Sequence, residues 1–109
     1  MELQKLTEAN HTTTAKLRVP DGSGGTEAVE VKVVYRPIDA NVLKEFNAIQ
    51  NDSTRTAAHQ AALLVKSLPD VTQNGEPVQI GLELFEAMDS RHPAAIVGAI
   101  LEHYNEGKG

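Results

Sequence analysis

Leu68-Pro69-Asp70-Val71-Thr72-Gln73-Asn74-Gly75-Glu76-Pro77-Val78-Gln79-Ile80 is the stretch on which the fold turns. Asn74-Gly75 is a strong turn signal, because glycine takes up positive φ without steric cost and asparagine is the next most tolerant residue. Pro69 and Pro77 bracket the turn, and each biases the residue before it away from helix. The stretch therefore reads as a compact loop with short extended arms at Val71-Thr72 and Val78–Ile80. It delivers the chain into two amphipathic runs, and none of its residues has the pattern of catalytic machinery.

Downstream, Ile80 leads into a short helix over Leu82–Asp89, with Leu82, Phe85 and Met88 on one side. Ser90 is the expected N-cap of a last helix, with His92 and Pro93 in its first turn, where a missing backbone donor does no harm. Ile96, Val97, Ile100, Leu101 and Tyr104 then recur at helical spacing, and Gly107-Lys108-Gly109 ends the run. Upstream, Asp39 or Asn41 is placed to cap a helix whose apolar positions are Val42, Leu43, Phe46 and Ile49. Asn51-Asp52-Ser53 interrupts it. Ser53 or Thr54 is expected to restart a helix through Leu68, with Ala58, Ala61, Ala62, Leu64, Val65 and Leu68 as its buried stripe.

Further upstream the period changes from 3.6 to 2. In Thr12–Val19, Ala15, Leu17 and Val19 share a face. In Glu27–Arg36, Val29, Val31, Val33 and Tyr35 oppose Glu30, Lys32 and Arg36. Pro20-Asp21-Gly22-Ser23-Gly24-Gly25 lies between, so the two runs form a β-hairpin with both outer edges unpaired. The glycine-rich tip lacks the Lys-Ser/Thr of a P-loop and joins two strands, so a phosphate cradle is not expected there. The fold class is α+β: an N-terminal β-hairpin (12–36), then a small bundle of about four helices over 40–67 and 81–105. Residues 1–11 read as a flexible arm, and 12–109 as a single domain.

The chain has 109 residues, 40% hydrophobic and 23% charged, with two Phe, two Tyr and no Trp. A small core of Leu, Ile, Val and Ala leaves a modest stability margin, so a homo-oligomer or a bound partner is expected. Net charge is −5, and the ten Lys and Arg are scattered along the chain, so nucleic-acid binding is not expected. Cysteine is absent, which removes disulfide and thiolate chemistry. No apolar run approaches the roughly 18 residues of a membrane span, and Met1–Leu6 lacks the apolar centre of a signal peptide. A soluble intracellular chain is expected.

His11, His59, His92 and His103 do not pair at the i, i+4 spacing of helical zinc ligands, and His103 suits a helix C-terminus. Asp89, Ser90 and His92 are close in sequence, but a capping serine has its oxygen occupied by backbone amides, and no nucleophile elbow is present. Glu83, Glu86 and Asp89, at i, i+3 spacing, read as a solvated acidic face that can also meet a basic partner. No catalytic, cofactor or metal site is expected.

Three stretches carry a resemblance: Val33-Val34-Tyr35-Arg36-Pro37, Asp70–Val78, and Ala94-Ala95-Ile96-Val97-Gly98-Ala99-Ile100. Together they resemble the small tail assembly chaperones of long-tailed bacteriophages, in which a strand ends in a Tyr-Arg-type step. A helical middle, a Trp-Asp-x-Thr-x-x-Gly-x-Pro-hydrophobic turn and two closing helices follow it. This chain departs from the pattern at Leu68-Pro69, where those proteins frequently carry tryptophan. The resemblance implies a non-enzymatic protein of the host cell cytoplasm. It would escort the tape measure protein, recruit tail tube subunits, and act in many copies. It also implies a longer frameshifted product, and Glu106-Gly107-Lys108 can be encoded by a slippery run. The apolar flanks of the last two helices, Phe85, Met88, Ile96, Val97, Ile100 and Tyr104, are the candidate partner-binding residues, together with the hairpin edge. The alternative is a small acidic inhibitor or adaptor that mimics nucleic-acid charge.

Overall fold

A computed structural model of the chain describes residues 11–106. Of the expected N-terminal arm, 1–10 lie outside those residues, as do Gly107-Lys108-Gly109. The alternating runs form antiparallel strands β1 (Thr12–Pro20) and β2 (Thr26–Tyr35), in register from Thr12 opposite Val34 to Pro20 opposite Thr26. Ala15, Leu17, Val33 and Tyr35 are buried on one face, whereas Lys16, Arg18, Glu30 and Lys32 are exposed on the other. At the tip, the Asp21 carboxylate accepts hydrogen bonds from the Ser23 amide (2.9 Å), the Ser23 hydroxyl (2.8 Å) and the Gly25 amide (3.2 Å).

After the hairpin come α1 (Ala40–Gln50) and α2 (Ala57–Leu64). Asp39 caps α1, its Oδ1 accepting from the Val42 amide at 2.9 Å. The second helix begins later than Ser53 or Thr54. Asp52 draws the Thr54 amide (2.9 Å) and hydroxyl onto its own carboxylate, holding a turn that competes with helix. Thr56 is the N-cap, and the His59 ring completes a capping box by accepting from the Thr56 amide at 3.1 Å.

The expected helix through Leu68 is not formed. At Val65 the backbone becomes extended (φ −76°, ψ 130°), and Val65–Ser67 forms strand β3 against β2, with Tyr35 opposite Val65 and Val34 opposite Ser67. Two local biases favour this outcome: Val65 is β-branched, and Pro69 disfavours helix at Leu68. The deciding factor is long-range, because β2 offers unpaired backbone groups at its outer edge. The sheet is therefore three-stranded, ordered β1-β2-β3, and the expectation of two open edges is corrected. β3 closes part of the β2 edge, the Arg36 amide donates to the Leu64 carbonyl (2.9 Å), and the Lys32 amide donates to Asp70 Oδ2 (2.9 Å).

Thr72–Gln73 (β4) and Glu76–Pro77 (β5) make a minimal hairpin around Asn74 (φ 54°) and Gly75 (φ 82°), the positive pair of a type I′ turn. The helices α3 (Leu82–Ala87) and α4 (Arg91–Glu106) follow. The oxygen that takes the first amide of α4 belongs to Asp89, which accepts from Arg91 N at 2.9 Å, and not to Ser90. Helix α4 packs along β1, and α2 packs against both α3 and α4. Phe85, Leu64, Ile96, Ile100 and Val33 are the largest fully enclosed apolar side chains apart from Pro93. Ile96→Ala or Ile100→Ala should cost about 2–5 kcal/mol in urea denaturation. Leu43→Ala, at a position 36% exposed, should stay within about 0.5 kcal/mol.

Candidate functional site

Of the six residues expected to meet a partner, four are interior. Phe85 (1% exposed), Ile96 (0%), Val97 (5%) and Ile100 (0%) belong to the core, packed with Ala15, Val33, Tyr35 and Leu64. A helical apolar stripe facing a sheet is consumed by that sheet, so the periodicity that nominated these residues marked the core. Met88 and Tyr104 are half-buried and retain accessible surface. Leu82 and Leu84 on α3 are half-buried as well, and Leu43 on α1 is the one exposed large hydrophobic among the described residues.

The histidines do more than surface duty. Tyr35 Oη and His103 Nδ1 share a hydrogen bond of 2.6 Å, with their rings edge-on at 5.7 Å. His11 meets the Tyr35 ring edge-on at 5.3 Å, and its carbonyl accepts from the Tyr35 amide at 2.8 Å. This ties the start of β1, the end of β2 and the last turns of α4 together. Burial pushes the Tyr35 phenol above its ordinary value of 10, with a further push from Tyr104. The phenol therefore stays protonated at neutral pH and takes part in a structural clasp. No sequence spacing pointed to it, since Tyr35 and His103 are 68 residues apart.

Beside the clasp, Thr13, Thr14, Ala99, Glu102, His103 and Glu106 line a groove of about 180 Å³. Small-molecule sites usually occupy about 300–1,000 Å³ and enclose their ligand; this groove is smaller and open. Among the described residues, no group of three or more His, Asp or Glu is placed to hold a metal ion. At the hairpin tip, the amides that could cradle a phosphate are turned onto Asp21, whose negative charge also opposes an anion. Asp89 donates nothing to a triad. It accepts from Arg91 Nε (3.0 Å) and Nη2 (2.8 Å) as well as from the Arg91 amide. These bonds, the side-chain ones first, hold its carboxyl far below the ordinary 3.8.

The scattering of Lys and Arg along the sequence does not survive folding. Lys16 and Arg18 on β1 and Lys32 on β2 alternate with buried residues, so these three project from the outer face of the sheet, with Arg36 exposed just past the end of β2 and Lys66 exposed at the irregularity in the β2–β3 register. Glu30, opposite Lys16, is the carboxylate on that face, and Asp70 stands at the β2 edge. The ion pairs among the described residues are Arg55–Asp52 and Arg91–Asp89, so none of the five cations has a carboxylate of the described residues within 4.0 Å.

Comparison of the chain with protein-family models, with curated proteins and with solved structures gives no match. No helix among the described residues is long and apolar enough to cross a membrane.

Two measurements probe these contacts. Tyr35→Phe should lower stability by about 0.5–1.5 kcal/mol in urea denaturation, the usual net worth of one hydrogen bond. Asp89 has a depressed folded-state pKa, so its contribution is fully present above the unfolded value near 3.8 and is lost as pH falls below it. Stability measured across a descending acid series should therefore fall less steeply in Asp89→Asn than in the parent. Asp21 and Asp52, also lowered by hydrogen bonds from Ser23 and Thr54, supply the residual slope.

Proposed function

We propose that this chain is a non-enzymatic tail assembly chaperone of a long-tailed bacteriophage. It acts in the host cell cytoplasm, where it binds and solubilises the tape measure protein and recruits tail tube subunits. Support comes first from the sequence resemblance in residues 33–37, 70–78 and 94–100. The observation that carries it furthest is that these three stretches form one connected unit. Val33 and Tyr35 share a core with Ile96, Val97 and Ile100, and Val71 and Val78 pack against that core. A resemblance spread over unrelated surface turns would have no such physical coherence.

A long helical partner needs apolar surface that the chaperone has not already used on itself. With Phe85, Ile96, Val97 and Ile100 enclosed, the proposed contact shifts to the half-buried flank of α3 at Leu84 and Met88, four residues apart on one side of the helix. Such a flank suits helix-in-groove recognition, in which spaced apolar anchors on the partner fill partial gaps. Co-expression with the tape measure protein of the same phage should raise the soluble fraction of that protein. Met88→Glu should reduce the gain while leaving the chaperone itself folded. A tape measure protein equally insoluble with and without this chain would end the proposal.

A further inference from the structure

The outer face of the sheet carries Lys16, Arg18 and Lys32, with Arg36 and Lys66 exposed at its end, on a chain whose net charge is −5. Glu30 stands on that face opposite Lys16, and the rest of the compensating acidity lies elsewhere. Glu83 and Glu86 are exposed on α3, and neither has a cation within 4.0 Å among the described residues. We propose that the basic sheet face of one copy docks on the α3 flank of a second copy, sheet to helix, so that copies associate head to tail. This goes beyond the chaperone reading and needs no tail component to be true.

Charge complementarity selects the occupant. Two cations two residues apart on a strand stand about 6.8 Å apart, and neighbouring strands are about 4.8 Å apart. Glu83 and Glu86, at i, i+3 on one helix, are separated by about 5–6 Å. Each carboxylate can thus meet a different cation. A symmetric sheet-on-sheet contact would instead set Lys and Arg against Lys and Arg, which like-charge repulsion disfavours. Single-stranded nucleic acid is the poorer occupant, because no aromatic side chain lies on this face to stack a base, Tyr35 being turned into the core. A polyanion longer than the face would also run onto a molecule of net negative charge.

The contact uses two different surfaces, so it is heterologous and leaves one basic and one acidic face free at the ends of each assembly. Exposed ion pairs are individually weak and strongly screened, which makes the association dependent on concentration and salt. Sedimentation equilibrium of the full chain should show weight-average mass rising with concentration at low salt. The association constant should fall about tenfold or more as the Debye length shrinks from about 30 Å to about 8 Å.

Two exposed charge reversals make the test specific. Arg18→Glu with Lys32→Glu, and Glu83→Lys with Glu86→Lys, should each give a folded monomer by circular dichroism and sedimentation. An equimolar mixture of the two should associate again, since each reversed face finds its complement on the other variant. A parent chain that stays monomeric at low salt overturns the proposal, as does self-association indifferent to either reversal, or a mixture that remains monomeric. Tight binding of a thymidine oligonucleotide, lost in the Arg18/Lys32 variant and unaccompanied by self-association, would also overturn it by giving the face to a polyanion.

Discussion

The contact on which the structure depends is the seating of α4 along the inner face of β1 and β2. A β-hairpin alone is marginal in water, because half its side chains need cover that the hairpin cannot supply. Ile96 and Ile100, both fully enclosed, supply that cover against Ala15, Val33 and Tyr35. Burying an aliphatic side chain of this size contributes about 1.5–3 kcal/mol, a large share of the net stability of a small domain. The Tyr35–His103 hydrogen bond then fixes where along β1 the end of the helix rests.

The same contact sets the character of every other surface. Since the apolar positions of both strands face α4, their alternate positions must face solvent, and those are filled by Lys16, Arg18, Glu30 and Lys32. Since α4 turns its apolar stripe to the sheet, the residues that would make it a sticky rod are removed from reach. What remains for recognition is the half-buried edge of α3 and the charged outer face of the sheet. The first is suited to an apolar helix and the second to the exposed carboxylates of α3 on another copy, so both contacts draw on α3.

Edge closure is the second constraint. β2 would leave a row of unpaired amides and carbonyls beside β1, an invitation to uncontrolled pairing. The chain answers with a three-residue strand at Val65–Ser67 and with the Asp70 carboxylate on the Lys32 amide. The loop that looked like a simple connector thus contributes Asp70 to the edge of the sheet.

The local patterns of the chain determined a good deal. The period-2 alternation of Ala15, Leu17, Val33 and Tyr35, the capping role of Asp39, the Asn74-Gly75 turn and the helical stripes are each written in neighbouring residues, so they could be recognised without a third dimension. The α+β class with a hairpin ahead of four helices follows from them. Tertiary structure alone decided that Val65 leaves the helix for the sheet, that Phe85, Ile96, Val97 and Ile100 are core, and that His103 meets Tyr35. It alone brought Lys66, through β3, beside the cations of the hairpin. Each of these depends on residues tens of positions apart coming into contact, as Lys32 and Asp70 do across 38 residues. A stripe reads the same along the chain whether it faces its own sheet or a partner, and only packing distinguishes the two.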